Sequence, residues 1–397
     1  MKTFSLSRAA GGAALALGLA SGSAWAQQTI TLSAPLTLTN QVCGNAVNTA
    51  TGLCSSGFNT PDGNTLNIGS GVAVAGFAVW GGYGGSTTAA VTATGNTVNY
   101  SGSGGGSIYG GYANTSAAGL NATANDNTVK VSGAGAVATL VDGGYATAGT
   151  GGTASATGNT VEITGGTVSG IEINGAQARA SGGTATASGN RVSISGGTVS
   201  SLNVFGGYTL GTTSTASDNT VEIKGSAVIG AGVNLYGGEA ITTSTGNTLE
   251  LSLKGVTVGY LQYFQNLNFH VPASLTAGQT MLTANTGVDL GNPAPAVSVE
   301  IASGSRLAVG DQIVLIDASA GAMTNTAPAS VTSATAGYTF SIVGSPIADK
   351  KLVVEVTAVP PRSSGSAAAV PTLGEYGLAL LALLLGGLGF AAMRRKG

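Results

Sequence analysis

Charge is scarce in this chain. Asp, Glu, Lys and Arg make up 8% of its 397 residues, and the formal net charge is −2. No block of basic residues occurs outside the extreme ends, which argues against a phosphate-backbone partner, so no nucleic acid is expected. Histidine occurs once, at His270, with Pro272 nearby. One imidazole builds neither a Ser-His-Asp arrangement nor a histidine metal cluster, so no catalytic residue, metal ligand or cofactor is assigned. The calcium-binding Gly-Gly-x-Gly-x-Asp nonapeptide is absent as well. Glycine, by contrast, is abundant at 66 residues, and hydrophobic residues reach 43%. Small residues at that level resemble low-complexity composition, but the hydrophobic fraction and a strict internal period favour a folded state.

The period is carried by Asn-Thr-Val or a close variant at Asn64, Asn96, Asn127, Asn159, Asn190, Asn219 and Asn247, at intervals of 32, 31, 32, 31, 29 and 28 residues. A Gly-Gly pair keeps step with it at Gly81, Gly110, Gly143, Gly206 and Gly237. A repeat near 30 residues means one supersecondary unit copied and stacked. Between the asparagines, stretches such as Thr160 to Ile163 alternate apolar and polar residues, which is the period of a strand. Glycine recurs too often for helices. One unit, Gly158 to Gly189, reads as three short strands, as expected for one coil of a parallel β-helix. A propeller blade would need about 40–50 residues, and hairpin turn signals two residues apart are missing. The fold class expected is therefore all-β: a parallel β-helix (β-solenoid) of about seven coils, with a C-terminal β cap and a terminal transmembrane helix.

In such a stack, equivalent residues of successive coils lie about 4.8 Å apart. Asn carries a donor and an acceptor, so a column of them can bond up and down the stack as a structural ladder. It also tolerates the left-handed conformation of a sharp corner. The residue before Gly-Gly is large at Trp80, Tyr109, Phe205 and Tyr236, with Asp142 and Asn174 interrupting the column. Rings stacked on one another are the structural reading of this column; a sugar-binding strip is the functional one. A third column, three residues after each Asn, holds Asn67, Asn99, Lys130, Glu162, Ser193, Glu222 and Glu250 and faces outward. Glu222 and Glu250 one coil apart could in principle serve acid/base work on a glycosidic bond. The column lacks the Arg, His and aromatic surroundings of such a site, and Lys130 beside Glu162 suggests a solvated face.

Both ends read as addresses. Residues 1–26 carry Lys2 and Arg8, an apolar run from Ala9 to Ala20, and Ala24-Trp25-Ala26 before Gln27, the pattern of a secretory signal peptide. The other end has Val370-Pro371-Thr372-Leu373-Gly374-Glu375-Tyr376-Gly377, an apolar run from Leu378 to Met393, and the basic stop Arg394, Arg395 and Lys396. Trailing positive charge keeps that end cytoplasmic, so by itself the run reads as a plain C-terminal membrane anchor. In an exported chain, the even pair Cys43 and Cys54 suggests a disulfide closing a small loop; chain entropy makes such a loop worth about 3 kcal/mol. Between the two addresses, residues 27–369 hold nine basic and 15 acidic side chains, a net charge of −6 that suits an exported protein.

The tail resembles the IPTL-CTERM sorting signal of Gram-negative bacteria, whose pattern is Ile-Pro-Thr-Leu, two variable residues, then Trp-Gly. Pro371, Thr372, Leu373 and Gly377 match, while Val370 stands for Ile and Tyr376 for Trp. The resemblance implies a partner, an exosortase-family transpeptidase, that cuts near the motif and releases the protein or joins it to another surface component. A second resemblance covers 255–359. Leu267 to Pro272, Gly278 to Thr283 and Val309 to Asp317 are similar to the segment that closes bacterial autotransporter passengers. No run of amphipathic strands follows Val359, so no barrel is expected.

The domain expectation is a signal peptide at 1–26, an N-terminal cap at 27–63, the repeat solenoid at 64–254, a C-terminal β cap at 255–359, a linker at 360–369 and the sorting signal at 370–397. The function expected is that of a non-enzymatic exported protein, displayed at or released from the cell surface. It would act as an adhesin or extracellular-matrix component with a glycan or host/matrix ligand. A polysaccharide-degrading β-helix enzyme is the alternative, and a surface layer that binds only itself is a third reading.

Overall fold

The computed structural model describes residues 2–6, 28–33, 36–38, 41–44, 62–361, 374 and 380–385. Residues 1–359 form one compact unit and residues 360–397 a second. The first is an all-β solenoid of about nine turns, so the expectation of about seven coils is corrected upward.

One coil shows how the sequence builds the unit. Gly158 opens it at φ 66°, in the left-handed region. The equivalent positions are Gly63, Gly95, Asp126, Gly189, Asp218 and Gly246, all between 56° and 72°. The corner conformation thus belongs to the residue before each Asn and not to the Asn itself, a correction to the sequence reading. Glycine adopts it without a steric penalty, and Asp tolerates it. After the corner, Thr160–Ser188 runs as one bent strand containing four stacked segments, not three. Residues 160–163 pair in parallel with Thr128–Val131 on one side and 191–194 on the other. Residues 167–168 form a second stack, with Val168 between Ala138 and Val199. Residues 172–180 form the third and 184–188 the fourth, both paired to the strand Asn203–Ser217.

Two separate cores fill the coils. The larger holds Val161, Ile163, Val168 and Ile173 and their equivalents in neighbouring coils. The smaller is lined almost entirely by alanine, including Ala146, Ala154, Ala156, Ala176, Ala178, Ala185 and Ala187. Alternation along each strand puts these inward and Thr or Ser outward. Methyl-sized side chains let the two walls of the smaller lobe approach closely.

The boundary between the lobes is the Asn column meeting the Gly-Gly bend. A Cβ on Gly143 would lie 3.0 Å from Asn159 Cβ, and one on Gly144 would lie 2.5 Å from Asn159 Oδ1. Gly110 and Gly206 meet Asn127 and Asn219 in the same way. The Gly-Gly repeat and the Asn repeat keep step because they are the two sides of one pinch.

The expected ladder is present through all seven asparagines, each of them buried. The Asn159 backbone N–H and Nδ2 both donate to Oδ1 of Asn190, at 2.9 and 3.1 Å. Nδ2 also donates back to the Ala124 carbonyl at 2.9 Å, and Asn127, Asn190, Asn219 and Asn247 make the same backward bond, so these rungs tie three coils together. The last rung was not foreseen: Asn247 N–H donates to Oε1 of Gln265 at 3.0 Å, across a coil of only 18 residues.

The parallel stack continues past residue 255. Asn266–Val271 lies between Thr248–Leu251 and Ala296–Ile301, and Val297 pairs with Val331. It is then closed by antiparallel pairing. Lys351–Ala358 runs between Gln312–Asp317 and Thr339–Val343, after a single helical turn at Pro346–Asp349. At the other end, Lys2–Leu6 is laid in parallel on Gln28–Leu32. An open edge strand templates a flanking segment in this way. The remainder of the expected signal peptide, residues 7–27, lies outside the described residues. Cys43 is buried and disulfide-bonded, while its expected partner Cys54 lies outside the described residues.

In the second unit, residues 380–385 are helical and their leucines exposed. Among the described residues no helix is long and apolar enough to cross a membrane. Most of the apolar run from Leu378 to Met393 lies outside them, as do Val370, Pro371, Thr372, Leu373, Tyr376, Gly377, Arg394, Arg395 and Lys396.

Candidate functional site

Two outward surfaces carry the polar chemistry of the solenoid. The first is the column three residues after each Asn. Its register runs as the repeat implies, Asn67 to Asn99 to Lys130 to Glu162 to Ser193 to Glu222 to Glu250. Lys130 Nζ pairs with Glu162 at 3.0 Å. Glu222 and Glu250 are register neighbours, but each is occupied elsewhere. Glu222 accepts from Arg191 at 2.7 Å, Lys224 at 2.9 Å and Ser193 Oγ at 2.5 Å. Burial alone would raise its carboxyl; Ser193, Lys224 and Arg191 together bring it below the ordinary value. Glu250 takes Nε2 of His270 at 2.7 Å, and His270 Nδ1 meets Glu300 at 2.6 Å. Burial opposes charging the imidazole, but the two carboxylates outweigh it and hold the His270 pKa above its usual value. The lone histidine is thus a clamp between two carboxylates on different strands. Arg191 and His270 thus stand beside the two carboxylates, which corrects the sequence reading that this column lacks Arg and His surroundings.

The second surface is a notch on the outside of the Gly-Gly bend. Val141 belongs to the larger core and Ala146 to the smaller, so Asp142 and Tyr145 on either side of the bend both point outward. Side chains flanking the bend therefore converge: Trp80 and Tyr83 have ring centroids 4.8 Å apart, and Phe205 and Tyr208 5.3 Å. Along the stack the rings pile up. Tyr112 stacks on Tyr145 at 4.9 Å with planes 7° apart, and Phe205 on Tyr236 at 4.7 Å. Of the column read in the sequence, Phe205 and Tyr236 stack as expected, whereas Tyr109 lies edge-on to Tyr112 and Tyr145, and Trp80 is tilted against Tyr83 and Tyr112. The second file of tyrosines, after the bend, is what the rings also stack through.

In the middle of the notch the rings give way to polar groups. Asp142 and Asn174 stand between Tyr109 and Phe205 in one file. Gln177 stands between Tyr145 and Tyr208 in the other. Asn174 Nδ2 donates to Asp142 Oδ1 at 2.5 Å and to Glu172 Oε2 at 3.3 Å. Arg179 lies over the Tyr208 ring, 5.6 Å from its centroid. Asp142 and Asn174 are fully buried and Gln177 is 3% exposed, yet Asp142 Oδ2, Asn174 Oδ1, Gln177 Nε2 and Arg179 Nε have no hydrogen-bond partner among the described residues. In sequence this cluster shows only as two interruptions of an aromatic column, and Gln177 and Arg179 carry no motif at all.

Burial pushes the Asp142 carboxyl up to about 8, with Glu172 adding to the rise, while the Asn174 hydrogen bond and Arg179 pull the other way. The native state therefore keeps a proton that the unfolded chain releases near the ordinary carboxyl value of 3.8. More protons bound in the native state means that stability falls as pH rises from about 4 to about 8 and levels off above that. Asp142→Asn should abolish this slope and raise stability at pH 7 by about 4 kcal/mol. Urea unfolding at pH 4.5 and 7.5 measures both; equal slopes in the two proteins would refute the assignment.

Residues 368–395 match the IPTL-CTERM motif. No curated protein and no solved structure matches the chain. The IPTL-CTERM segment covers 28 residues at the end of the chain and coincides with the tripartite tail read from the sequence. As a sorting signal it implies export to the cell surface or extracellular space and processing by an exosortase-like enzyme.

Proposed function

We propose that this is a non-enzymatic, surface-displayed or released β-solenoid of a Gram-negative bacterium, acting as an adhesin or extracellular-matrix component. The observation that carries the reading is the IPTL-CTERM motif at 368–395 on a chain whose body is a β-solenoid. A stacked repeat is a long, stiff surface that suits display and binding. Before processing, the apolar run from Leu378 to Met393 holds the precursor in the inner membrane, with Arg394, Arg395 and Lys396 on the cytoplasmic side. The exosortase-like enzyme then cuts near Pro371 to Leu373. The ion-paired state of Glu222 and Glu250 supports binding without turnover.

Mass spectrometry of the exported protein should find the tail missing from the motif onward. Intact Arg394-Arg395-Lys396 on all surface material would mean a plain anchor instead. Saturable hydrolysis of any polysaccharide by the purified protein would replace the binding reading with the enzyme one.

A further inference from the structure

The polar stretch of the notch concentrates unmet hydrogen-bonding capacity: among the described residues, four of the unpartnered buried side-chain atoms lie here, and the others are single atoms of Trp80, Thr115, Thr147 and Ser201. Leaving one buried polar group unpaired costs about 1–3 kcal/mol. Here Asp142, Asn174, Gln177 and Arg179 each have one such atom within two adjoining coils. The pinch and the cores do not require them, since neighbouring coils fill the positions of Asp142, Asn174 and Gln177 with rings and that of Arg179 with Thr147 and Leu210. Unsatisfied groups gathered in one place, below the rim of an outward groove, are what a hydroxyl-bearing ligand would satisfy.

The rings on either side set the shape of that ligand. Tyr112 stacks on one face of Tyr145, and the other face looks across Gln177 toward Tyr208. Tyr145 and Tyr208 are two coil spacings apart, about 9.6 Å. A saccharide ring fits between two aromatic faces at contact distances of about 3.5–4 Å on each side. We propose that this window is a saccharide-binding site. One sugar ring of a glycan chain enters between Tyr145 and Tyr208, moves Arg179 off the Tyr208 face, and pairs its hydroxyls with Asp142, Asn174 and Gln177. The glycan is neutral. Glu172 beside Asn174, and Glu239 in register with Tyr208, would repel an acidic one. The neutral carboxylic acid of Asp142 offers a donor as well as an acceptor.

The site rests on the surface-binding reading above and gives it a ligand class. Its test uses the full-length protein and titration calorimetry with neutral hexasaccharides of the cello-, malto-, chito-, manno- and galacto- series, with polygalacturonate as the acidic comparison. At least one neutral hexasaccharide should bind saturably and polygalacturonate should not. Gln177→Tyr completes the ring file from Tyr145 to Tyr208, so it should keep the β circular dichroism and melting temperature of the wild type. It should weaken binding at least tenfold, and Asn174→Ala should do the same. Binding by no neutral hexasaccharide, or wild-type affinity in a folded Gln177→Tyr protein, overturns the site. Retention on an extracellular-matrix preparation separates the two readings. Equal retention of wild type and Gln177→Tyr sinks the site but leaves the adhesin reading intact. Hexasaccharide binding without matrix retention keeps the site and removes the adhesin.

Discussion

Asn159→Ala should lower stability by about 4 kcal/mol. The Oδ1 it removes accepts from both the backbone N–H and Nδ2 of Asn127, at 2.9 and 3.0 Å. The Nδ2 it removes donates to the Ala124 carbonyl and to Asn190 Oδ1. Asn127 Nδ2 keeps its bond to the Ala93 carbonyl, but the Asn127 N–H is left buried and unpaired. Asn127 and Asn159 are both fully buried. Each orphaned group therefore bears its full desolvation cost, about 1–3 kcal/mol. The urea midpoint of the variant reports the loss. Asp at the same position retains the acceptor and loses the donor, so it should not rescue the fold. A variant within 1 kcal/mol of wild type would show that the ladder is ornament on a fold held by its cores.

The second large effect comes from the opposite side of the pinch. Gly144→Ala would place a Cβ 2.5 Å from both the Ala124 carbonyl oxygen and Asn159 Oδ1. Neither can retreat, because one is main chain in a stacked strand and the other is a rung bonded to three coils. Overpacking against fixed atoms should cost more than about 4 kcal/mol, enough to unfold the coil locally. Gly151→Ala is the matched control. Its φ is +72°, and a Cβ there meets nothing within 4 Å. That variant should lose only the roughly 1–2 kcal/mol of a left-handed non-glycine residue. Thermal melts of the two single variants compare close contact with backbone conformation directly.

The spacing of Asn-Thr-Val was enough to read the ladder and its register in the sequence. A rigid period makes every coil a copy, and a copied donor-acceptor side chain has only its copies to bond. Gln265 escaped because the coil shortens to 18 residues there and the side chain changes from Asn to Gln. The continuation past residue 255 escaped for a related reason: longer aliphatic residues replace the repeat while the parallel pairing persists. One segment was hidden by a merger: Val168 to Ile173 read as a single strand, but residues 167–168 and 172–180 belong to separate stacks, while the Ala, Thr and Ser strand through Ala185 is present as read. The polar notch was the least legible. Asp142 and Asn174 read as gaps in a ring column, and only the fold reveals that Gln177 and Arg179 open onto the same gap.

The antiparallel closure bears on how the protein withstands tension. The final strand, Lys351–Ala358, is not an edge: it has Gln312–Asp317 on one side and Thr339–Val343 on the other. A pull on the chain beyond Val359 therefore cannot peel one ladder a bond at a time. It must slide the strand lengthwise between two neighbours and break both sets of bonds together. A molecule tethered by that end would meet drag first with a strand held on both sides, and the coils behind it would be loaded only after that strand had given way.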